Sequence, residues 1–189
     1  MSSTILISPL ADERTIERWC SEQDFREAET LGAAHRRTEF LSWRAMVRKQ
    51  LGEGVRIGYD EWGAPIIEHS EQHIGISHSK DMVAVIISDA PCAIDIEHTG
   101  RNFERVASRY LTDEERALDS HADFLAAAWC AKETLYKYYR RGKIDFLRDI
   151  LLTSSNVAEG QICGCTPSEA HLQMSVQREG EYIVVVLGN

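Results

Sequence analysis

Four charged residues, two in a predicted strand and two in a predicted helix, are the part of this sequence best suited to chemistry. Glu133 and Lys137 are spaced by one turn of a helix. In Ala93-Ile94-Asp95-Ile96-Glu97, a strand would place Asp95 and Glu97 on one face with their Cβ atoms about 7 Å apart. Carboxylate oxygens are ligands that Mg²⁺ prefers, and an ammonium group can contact a phosphate.

Each pair also has an ordinary explanation. A Glu–Lys pair stabilises an exposed helix by roughly 0.3–0.5 kcal/mol, and the helix taken alone favours that interpretation. Neighbouring carboxylates cost little at an exposed strand end, whereas inside a sheet a divalent cation would compensate their repulsion. Considered together, the pairs supply three carboxylates for one metal. Glu133 is then a ligand or a general base, and Lys137 a phosphate contact.

The helix that carries Glu133 is predicted to start around Asp123. Trp129 and Tyr136 share its more polar side, and we interpret both as packing that holds the helix between two halves of the molecule. Its other side has apolar residues at spacings of three and four: Phe124, Ala128, Ala131 and Leu135.

Two upstream segments could supply groups for an anion. His73 to Ser79 predicts a strand that ends in a polar turn, where two hydroxyls and an imidazole could cradle an anion. A plain polar hairpin turn explains these residues nearly as well. His35 to about Gln50 predicts a basic amphipathic helix ended by Gly52. Its arginines form either a solvated face or phosphate contacts.

The remaining pattern predicts helices first, then strands, one acidic strand, more helices and a terminal hairpin, an order that fits two α+β halves. Thr112 and Glu115 form a capping-box signature, and Cys163-Gly164-Cys165 is interpreted as a turn. The other predicted elements are a strand at Thr4–Pro9, a helical segment containing Ile16, Trp19 and Phe25, short strands at Val55–Tyr59 and Pro65–Ile67, a strand at Met82–Ser88, a helix at Asn102–Tyr110, and strands at Ile150–Thr153, His171–Val176 and Tyr182–Leu187.

Composition excludes several classes of protein. The 189 residues are 43% hydrophobic and lack a low-complexity tract, which is typical of a globular protein. The sequence has no apolar run of the ~20 residues that a membrane span needs, and no basic signal-peptide start, so we expect a cytoplasmic protein without a membrane partner. Five cysteines without paired CxxC spacing argue against a disulfide framework and against structural zinc.

The formal charge of −9 disfavours general binding of nucleic acid, whose phosphates require a basic surface. An acidic partner would need a local basic patch. Two sets of residues could supply one: Arg101, Arg105 and Arg109, or Arg140, Arg141 and Lys143.

Three ordered motifs carry a resemblance to a known family. Gly75-Ile76-Ser77-His78-Ser79, Ala93-Ile94-Asp95-Ile96-Glu97 and Trp129-Cys130-Ala131-Lys132-Glu133-Thr134-Leu135-Tyr136-Lys137 resemble the signatures of the 4'-phosphopantetheinyl transferase superfamily. The similarity is closest to the larger, pseudodimeric class that activates peptide synthetases and lysine-pathway enzymes. That class implies an α+β fold of two similar halves related by a pseudo-two-fold, here residues 1–90 and 91–189, in a monomer.

The resemblance implies coenzyme A as substrate, Mg²⁺ as cofactor, and an apo acyl or peptidyl carrier protein whose serine receives the 4'-phosphopantetheine arm. The N-terminal half would contact the coenzyme A phosphates, and the C-terminal half would hold the metal and the catalytic helix. By position, the implied metal ligands are Asp95, Glu97 and Glu133, with Glu133 and Lys137 catalytic. Ser77, His78 and Lys137 would contact phosphates, and Arg36, Arg37 or Arg44 would bind the 3'-phosphate.

The sequence departs from the family pattern at Gly63-Ala64-Pro65, where many members carry Gly-Lys-Pro, and at Ala93, where glycine is frequent. Three other functions remain open at this point. One is a Mg²⁺-dependent phosphohydrolase acting on coenzyme A or a related nucleotide, and another is a binding module without catalysis. The last is a zinc hydrolase using His69, His73 and His78, although the last two straddle a strand and share no helical face.

Overall fold

The computed structural model describes residues 2–140 and 144–188. These residues contain five α-helices and ten strands, grouped in runs of helices and runs of strands, so the fold is mixed α+β, as the sequence pattern predicted. The helices are α1 Glu13–Trp19, α2 Glu22–Glu29, α3 Ala34–Leu51, α4 Asp113–Arg116 and α5 Phe124–Tyr139. The strands are β1 Ser3–Pro9, β2 Ile57–Tyr59, β3 Pro65–Ile67, β4 His73–Ser79, β5 Met82–Ser88, β6 Ala93–His98, β7 Leu151–Asn156, β8 Gln161–Thr166, β9 Glu169–Glu179 and β10 Tyr182–Leu187.

The strands form two larger sheets and one separate hairpin, and every pairing is antiparallel. The first sheet has the order β1-β5-β4, and the second has the order β6-β10-β9-β8-β7. Strands β2 and β3 pair with each other in a separate two-stranded sheet. None of the helices in the described ranges has the length and apolar character needed to cross a membrane.

Strand alternation divides the core into three layers. One face of β5 packs on α3 through Val83 and Val85, and its other face joins Ile94 and Ile96 of β6 in a core shared by the two sheets. The opposite face of the second sheet packs against α5. Because side chains alternate along a strand, β6 presents its isoleucines to the shared core and its carboxylates to the side of α5. The predicted alternation at residues 93–97 is therefore confirmed.

Strand β4 lies beside β6 at the junction of the two sheets, although the two strands belong to different sheets. Gly75 permits this approach, because a Cβ atom there would lie 3.0 Å from Ile86 Cγ2 and 3.1 Å from the Cα atom of Ala93. Asp95 and Glu97 therefore face the polar end of β4.

Helix α5 follows the predicted amphipathic pattern. Phe124, Ala128, Ala131 and Leu135 are all buried, and the helix begins directly after Asp123. The capping box of Thr112 and Glu115 is also confirmed at the start of α4. Both predictions succeeded because they rest on local spacing, which tertiary packing preserved.

Several local predictions were wrong. Ser77, His78 and Ser79 continue strand β4, and the turn begins only at Lys80, because pairing with β5 extends to Ser79 and Met82. Cys163 and Cys165 lie within β8 and form no turn, since β7 and β9 pair with that strand on both sides. The helix predicted at Asn102–Tyr110 is a 3₁₀ segment, Glu104–Arg109.

Candidate active site

The two carboxylates of β6 meet cations and hydroxyls brought by other elements. Asp95 is buried, and its Oδ1 accepts hydrogen bonds from Ser77 Oγ of β4 at 2.7 Å and from Lys137 Nζ of α5 at 2.7 Å. Its Oδ2 is also buried and accepts no hydrogen bond from an N–H or O–H group of the described residues, although the buried Cys130 thiol, a weak donor, lies near this carboxylate. A buried carboxylate oxygen without a partner is unfavourable, so this atom marks a position where a cation or donor would be stabilised.

Glu97 has both oxygens occupied. Arg101 donates to Oε1 at 2.7 Å, and Ser79 Oγ donates to Oε2 at 2.9 Å. The Arg101 guanidinium also lies over the Trp129 ring, with 4.6 Å between its Cζ and the ring centroid. Arg101 therefore acts as the counter-cation of Glu97 in this structure.

Glu133 faces the same space from α5. Burial raises its pKa to about 6, with a further increase from the Asp95 carboxylate, while the Lys137 ammonium acts in the opposite direction. A carboxylate with a pKa near 6 can accept a proton close to neutral pH. The position of Glu133 therefore suits a general base or a metal ligand.

Lys137 is held by three oxygen atoms. Its Nζ donates to Asp95 Oδ1, to the Ile76 carbonyl of β4 at 3.2 Å and to the Ile94 carbonyl of β6 at 3.1 Å. An ammonium group has three N–H bonds, so all of its donors are used. Lys137 consequently links the two strands at the junction of the sheets, and it can reach a phosphate only by releasing one of these contacts.

A cavity of about 550 Å³ opens over these side chains, a size that suits a small-molecule ligand. Strand β4, strand β6, helix α5 and the β2–β3 turn all contribute to its wall. Its polar and aromatic lining residues are Trp62, Ser77, His78, Asp95, Glu97, Trp129, Glu133, Tyr136, Lys137, Tyr139 and Arg140. The structure thus brings the six site residues predicted from the three motifs into one pocket: Ser77, His78, Asp95, Glu97, Glu133 and Lys137.

His78 reaches this cavity while being held from α3. Its Nδ1 lies 3.0 Å from Glu39 Oε1, and the same oxygen lies 3.2 Å from His35 Nε2. Glu39 is buried and does not line the cavity, so the His78 ring has a carboxylate beside its Nδ1 on the α3 side. This contact leaves Nε2 available to a ligand.

The arginines predicted for the 3'-phosphate are placed differently. Arg44 is fully buried, donates to Asp24 at 2.8 Å and to Glu27 at 2.8 Å, and lies over the Phe40 ring. This geometry does not support its prediction as a phosphate contact, because Arg44 could reach a phosphate only by breaking its ion pairs with Asp24 and Glu27. Buried Arg48 likewise contacts Asp24, so this side of α3 is not a solvated face.

Arg36 and Arg37 are not among the residues that line the cavity. Arg36 is exposed on α3, while Arg37 donates to the Leu31 and Gly32 carbonyls at 3.0 and 3.2 Å. These two hydrogen bonds to the segment between α2 and α3 therefore account for the position of the Arg37 side chain.

The aromatic residues of α5 also differ from expectation. Trp129 packs edge-to-face on Tyr110, at 5.1 Å between ring centroids, and Tyr136 lies 5.7 Å from Phe146. These partners come from residues 91–189, so the rings do not fix α5 between two halves. Tyr136 is 45% exposed and lines the cavity.

Lys132 precedes Glu133 but points elsewhere, because adjacent helical residues are about 100° apart around the axis. It is fully buried and forms a 2.5 Å ion pair with Glu115, and it donates to the Phe146 carbonyl at 2.6 Å and to that of Ile150. Burial lowers its pKa, and the Glu115 contact opposes that shift. Lys132 is therefore a structural residue.

The fit to a metal ion depends on these side-chain positions. Within the described residues, no three side chains of the His, Cys, Asp or Glu types are arranged to hold a metal ion. Instead, Arg101 forms an ion pair with Glu97, and Lys137 forms one with Asp95. The residue types nevertheless fit Mg²⁺, because three carboxylates line one cavity and Asp95 Oδ2 lacks a partner. His69 and His73 do not line the cavity that His78 enters.

Arg140 is the lining residue whose importance the sequence indicated least clearly. In the sequence it belongs to a possible basic patch with Arg141 and Lys143, which lie outside the described residues. It follows α5 with φ 52° and lines the cavity beside Lys137. The sequence indicated this residue only as a basic residue one turn after Lys137. The direction of its side chain depends on the backbone conformation at the end of α5.

A comparison with protein families finds a match for just over half of the chain. Residues 91–187 match the family model described as the 4'-phosphopantetheinyl transferase superfamily. The match contains Asp95, Glu97, Glu133 and Lys137 but not Ser77 or His78. No curated protein matches the sequence significantly.

Proposed function

Because the chain belongs to the 4'-phosphopantetheinyl transferase superfamily, we propose that it transfers the 4'-phosphopantetheine arm of coenzyme A to a serine of an apo acyl or peptidyl carrier protein. The family match supports a phosphopantetheine transferase activity in general. The main structural support for this reaction is the buried, unpartnered Asp95 Oδ2 in a cavity that also contains Glu97, Glu133 and Lys137.

The proposed cofactor is Mg²⁺, with Asp95, Glu97 and Glu133 as its ligands. When bound, it would neutralise charge on the coenzyme A diphosphate. For Glu97 to take part, Arg101 must release one carboxylate oxygen, since both are occupied in this structure. The Ser77 hydroxyl would help to orient the Asp95 carboxylate, because it donates a hydrogen bond to Oδ1.

In the proposed reaction, the carrier serine oxygen attacks the phosphorus that bears the pantetheine arm. A serine–phosphate bond forms, the bond to the bridging oxygen breaks, and 3',5'-ADP leaves with the electron pair. Glu133 accepts the serine proton directly or through a water molecule, which suits its pKa of about 6. Lys137 stabilises the leaving group after releasing a strand carbonyl, and Ser77 and His78 contact the phosphates.

We further propose that the protein belongs to the larger, pseudodimeric class and acts as a cytoplasmic monomer. The support is that one chain supplies two antiparallel sheets, each packed against one long helix, with the cavity at their junction. On this proposal residues 1–90 and 91–189 are two similar halves related by a pseudo-two-fold.

Mass spectrometry of an apo carrier protein incubated with this protein, coenzyme A and Mg²⁺ tests the function. A transferase adds one phosphopantetheine group to the carrier, and chelation of the metal prevents the addition. Loss of coenzyme A without modification of any carrier in a panel from fatty-acid, peptide and polyketide pathways would instead identify a phosphohydrolase.

The matched variant is Glu133→Gln, which keeps the shape of the side chain but cannot accept the proton. General base assistance typically contributes 10²–10⁴-fold, so turnover should fall by about that factor while circular dichroism shows an intact fold. Near-normal transfer by this variant would refute the role of Glu133.

A further inference from the structure

The two carboxylates of β6 are paired with cations that are held to different degrees. Lys137, the partner of Asp95, is 31% exposed and donates all three of its N–H groups to protein oxygens. Arg101, the partner of Glu97, is 43% exposed. Its bond to Glu97 Oε1 is the one side-chain hydrogen bond that Arg101 makes to the described residues, although a guanidinium has five N–H groups. Arg101 is therefore the cation that can leave its carboxylate at low cost.

Arg101 also has a second surface on which its guanidinium can rest. Its Cζ lies 4.6 Å from the ring centroid of Trp129 and 5.6 Å from that of Phe103. The face of an aromatic ring attracts a guanidinium without any carboxylate nearby. Trp129 is supported in turn by Tyr110, whose ring packs edge-to-face against it at 5.1 Å between centroids. A guanidinium that moves away from Glu97 therefore keeps a favourable contact.

The other oxygen of Glu97 is held by strand β4. Ser79 is buried, and its Oγ donates to Glu97 Oε2 at 2.9 Å while it accepts the backbone N–H of His98 at 3.2 Å. Ser79 thus connects β4 to two consecutive residues of β6. Glu97 consequently has one oxygen with a buried, fixed partner and one oxygen with an exposed, exchangeable partner.

We propose that Arg101 is a built-in competitor of the divalent cation, which neutralises Glu97 until the cation binds and thereby sets the affinity of the site. Ser79 is the positioning residue that keeps the Glu97 carboxylate in place during this exchange. The inference rests on the proposed function, because it takes the cation ligands from there. Its physical basis is the repulsion between two cations that approach the same carboxylate within a few ångströms.

The test measures cation binding without turnover. Mn²⁺ is the probe, because it takes the same oxygen ligands as Mg²⁺, and the electron paramagnetic resonance of the free ion gives the bound fraction. Arg101→Met removes the charge but keeps an apolar side chain for the Trp129 ring, and it should bind Mn²⁺ about three- to tenfold more tightly than the unmodified protein. Arg101→Gln should show the same change. Arg101→Lys, which retains a cation, should stay within about twofold.

Three further variants separate competition from a general disturbance. Arg105→Met makes the same change in net charge at an exposed residue of the adjacent 3₁₀ segment, and it should leave the affinity within about twofold. Ser79→Ala should weaken Mn²⁺ binding by about three- to tenfold, because Glu97 loses its fixed partner. The serine and arginine variants thus change the affinity in opposite directions, which damage to the fold would not do. Asp95→Asn should abolish binding at this site.

The remaining outcomes separate this inference from the proposed function. Unchanged or weaker binding by Arg101→Met and Arg101→Gln would overturn the inference, while modification of a carrier protein by the unmodified protein would still support the transferase. Binding that survives Asp95→Asn would place the ion elsewhere and would also overturn it. If neither the unmodified protein nor the arginine variants bind Mn²⁺, the inference is wrong, and the carrier assay decides separately whether the proposed function stands.

Discussion

At the scale of single residues, Glu133 connects burial with proton transfer. Its carboxylate has a pKa of about 6 because burial and the neighbouring Asp95 charge disfavour ionisation. The fold favours the protonated form of the Glu133 carboxyl group. Ionisation of this group therefore lowers the free energy of unfolding. This cost is absent below the ordinary pKa of 4.5, develops between pH 4.5 and 6, and is fully present above that range.

Glu133→Gln should therefore be more stable than the unmodified protein at pH 8 in the presence of a chelator. The expected difference is on the order of 1–2 kcal/mol, and it should shrink as the pH falls toward 4.5. Denaturant unfolding at a series of pH values measures it. A difference that stays constant with pH would show that Glu133 ionises normally in the fold.

Asp95 offers a test of metal binding that does not require turnover. Asparagine at this position can retain the contacts of Oδ1 with Ser77 and Lys137 but removes the negative charge at buried Oδ2. Added Mg²⁺ should raise the melting temperature of the unmodified protein, by an amount equivalent to about 2.7 kcal/mol at a hundred times its dissociation constant. Asp95→Asn should lose this response. An equal response in both proteins, with ionic strength matched, would exclude Asp95 as a ligand.

At the scale of elements, helix α5 places two adjacent charged residues in opposite surroundings. Glu133 faces the cavity, while Lys132 faces the interior and pairs with Glu115 of α4. Glu115 also accepts the backbone N–H of Leu152 at 2.7 Å, so one ion pair joins α5, α4 and β7. The motif around Glu133 therefore contains a structural lysine as well as candidate catalytic residues.

Lys132→Met should destabilise the fold by about 3–5 kcal/mol, because it leaves the Glu115 carboxylate buried without its cation. The double variant Lys132→Met with Glu115→Gln should recover part of that loss, and a double-mutant cycle of unfolding free energies measures the coupling. Additive effects would show that the pair contributes little.

Lys137→Met should remove the hydrogen bonds by which Lys137 links the Ile76 carbonyl of β4 to the Ile94 carbonyl of β6.

At the scale of the whole molecule, the cavity lies where the two sheets meet. Strand β4 belongs to the first sheet, β6 belongs to the second, and a shared core joins β5 to β6 and β10. Neither sheet alone provides the complete lining. Ligand binding should consequently stabilise both parts of the molecule together.

Coenzyme A with Mg²⁺ should shift one unfolding transition to higher temperature, since unfolding of either sheet destroys the site. Calorimetry at several ligand concentrations measures the shift. Two transitions, only one of which moves with ligand, would show that the sheets unfold independently and that one of them holds the whole site.

Local spacing explains which predictions succeeded. The alternation of Ile94 and Ile96 with Asp95 and Glu97, and the stripe beginning at Phe124, depend on the geometry of a single strand or helix. That geometry is readable without knowledge of neighbours. The polar end of β4 was misassigned because its length depends on pairing with β5.

What the sequence determined by itself was the set of motifs and the faces of β6 and α5, whereas the meeting of three carboxylates in one cavity required the packing of α5 on β6. Tertiary structure alone decided which cation meets which anion. Arg44 pairs with two carboxylates of α2, and Arg101 pairs with Glu97. Arg140, which follows the end of α5, lines the cavity. Charge pairing acts over a few ångströms between segments distant in sequence, so it follows from packing and not from local periodicity.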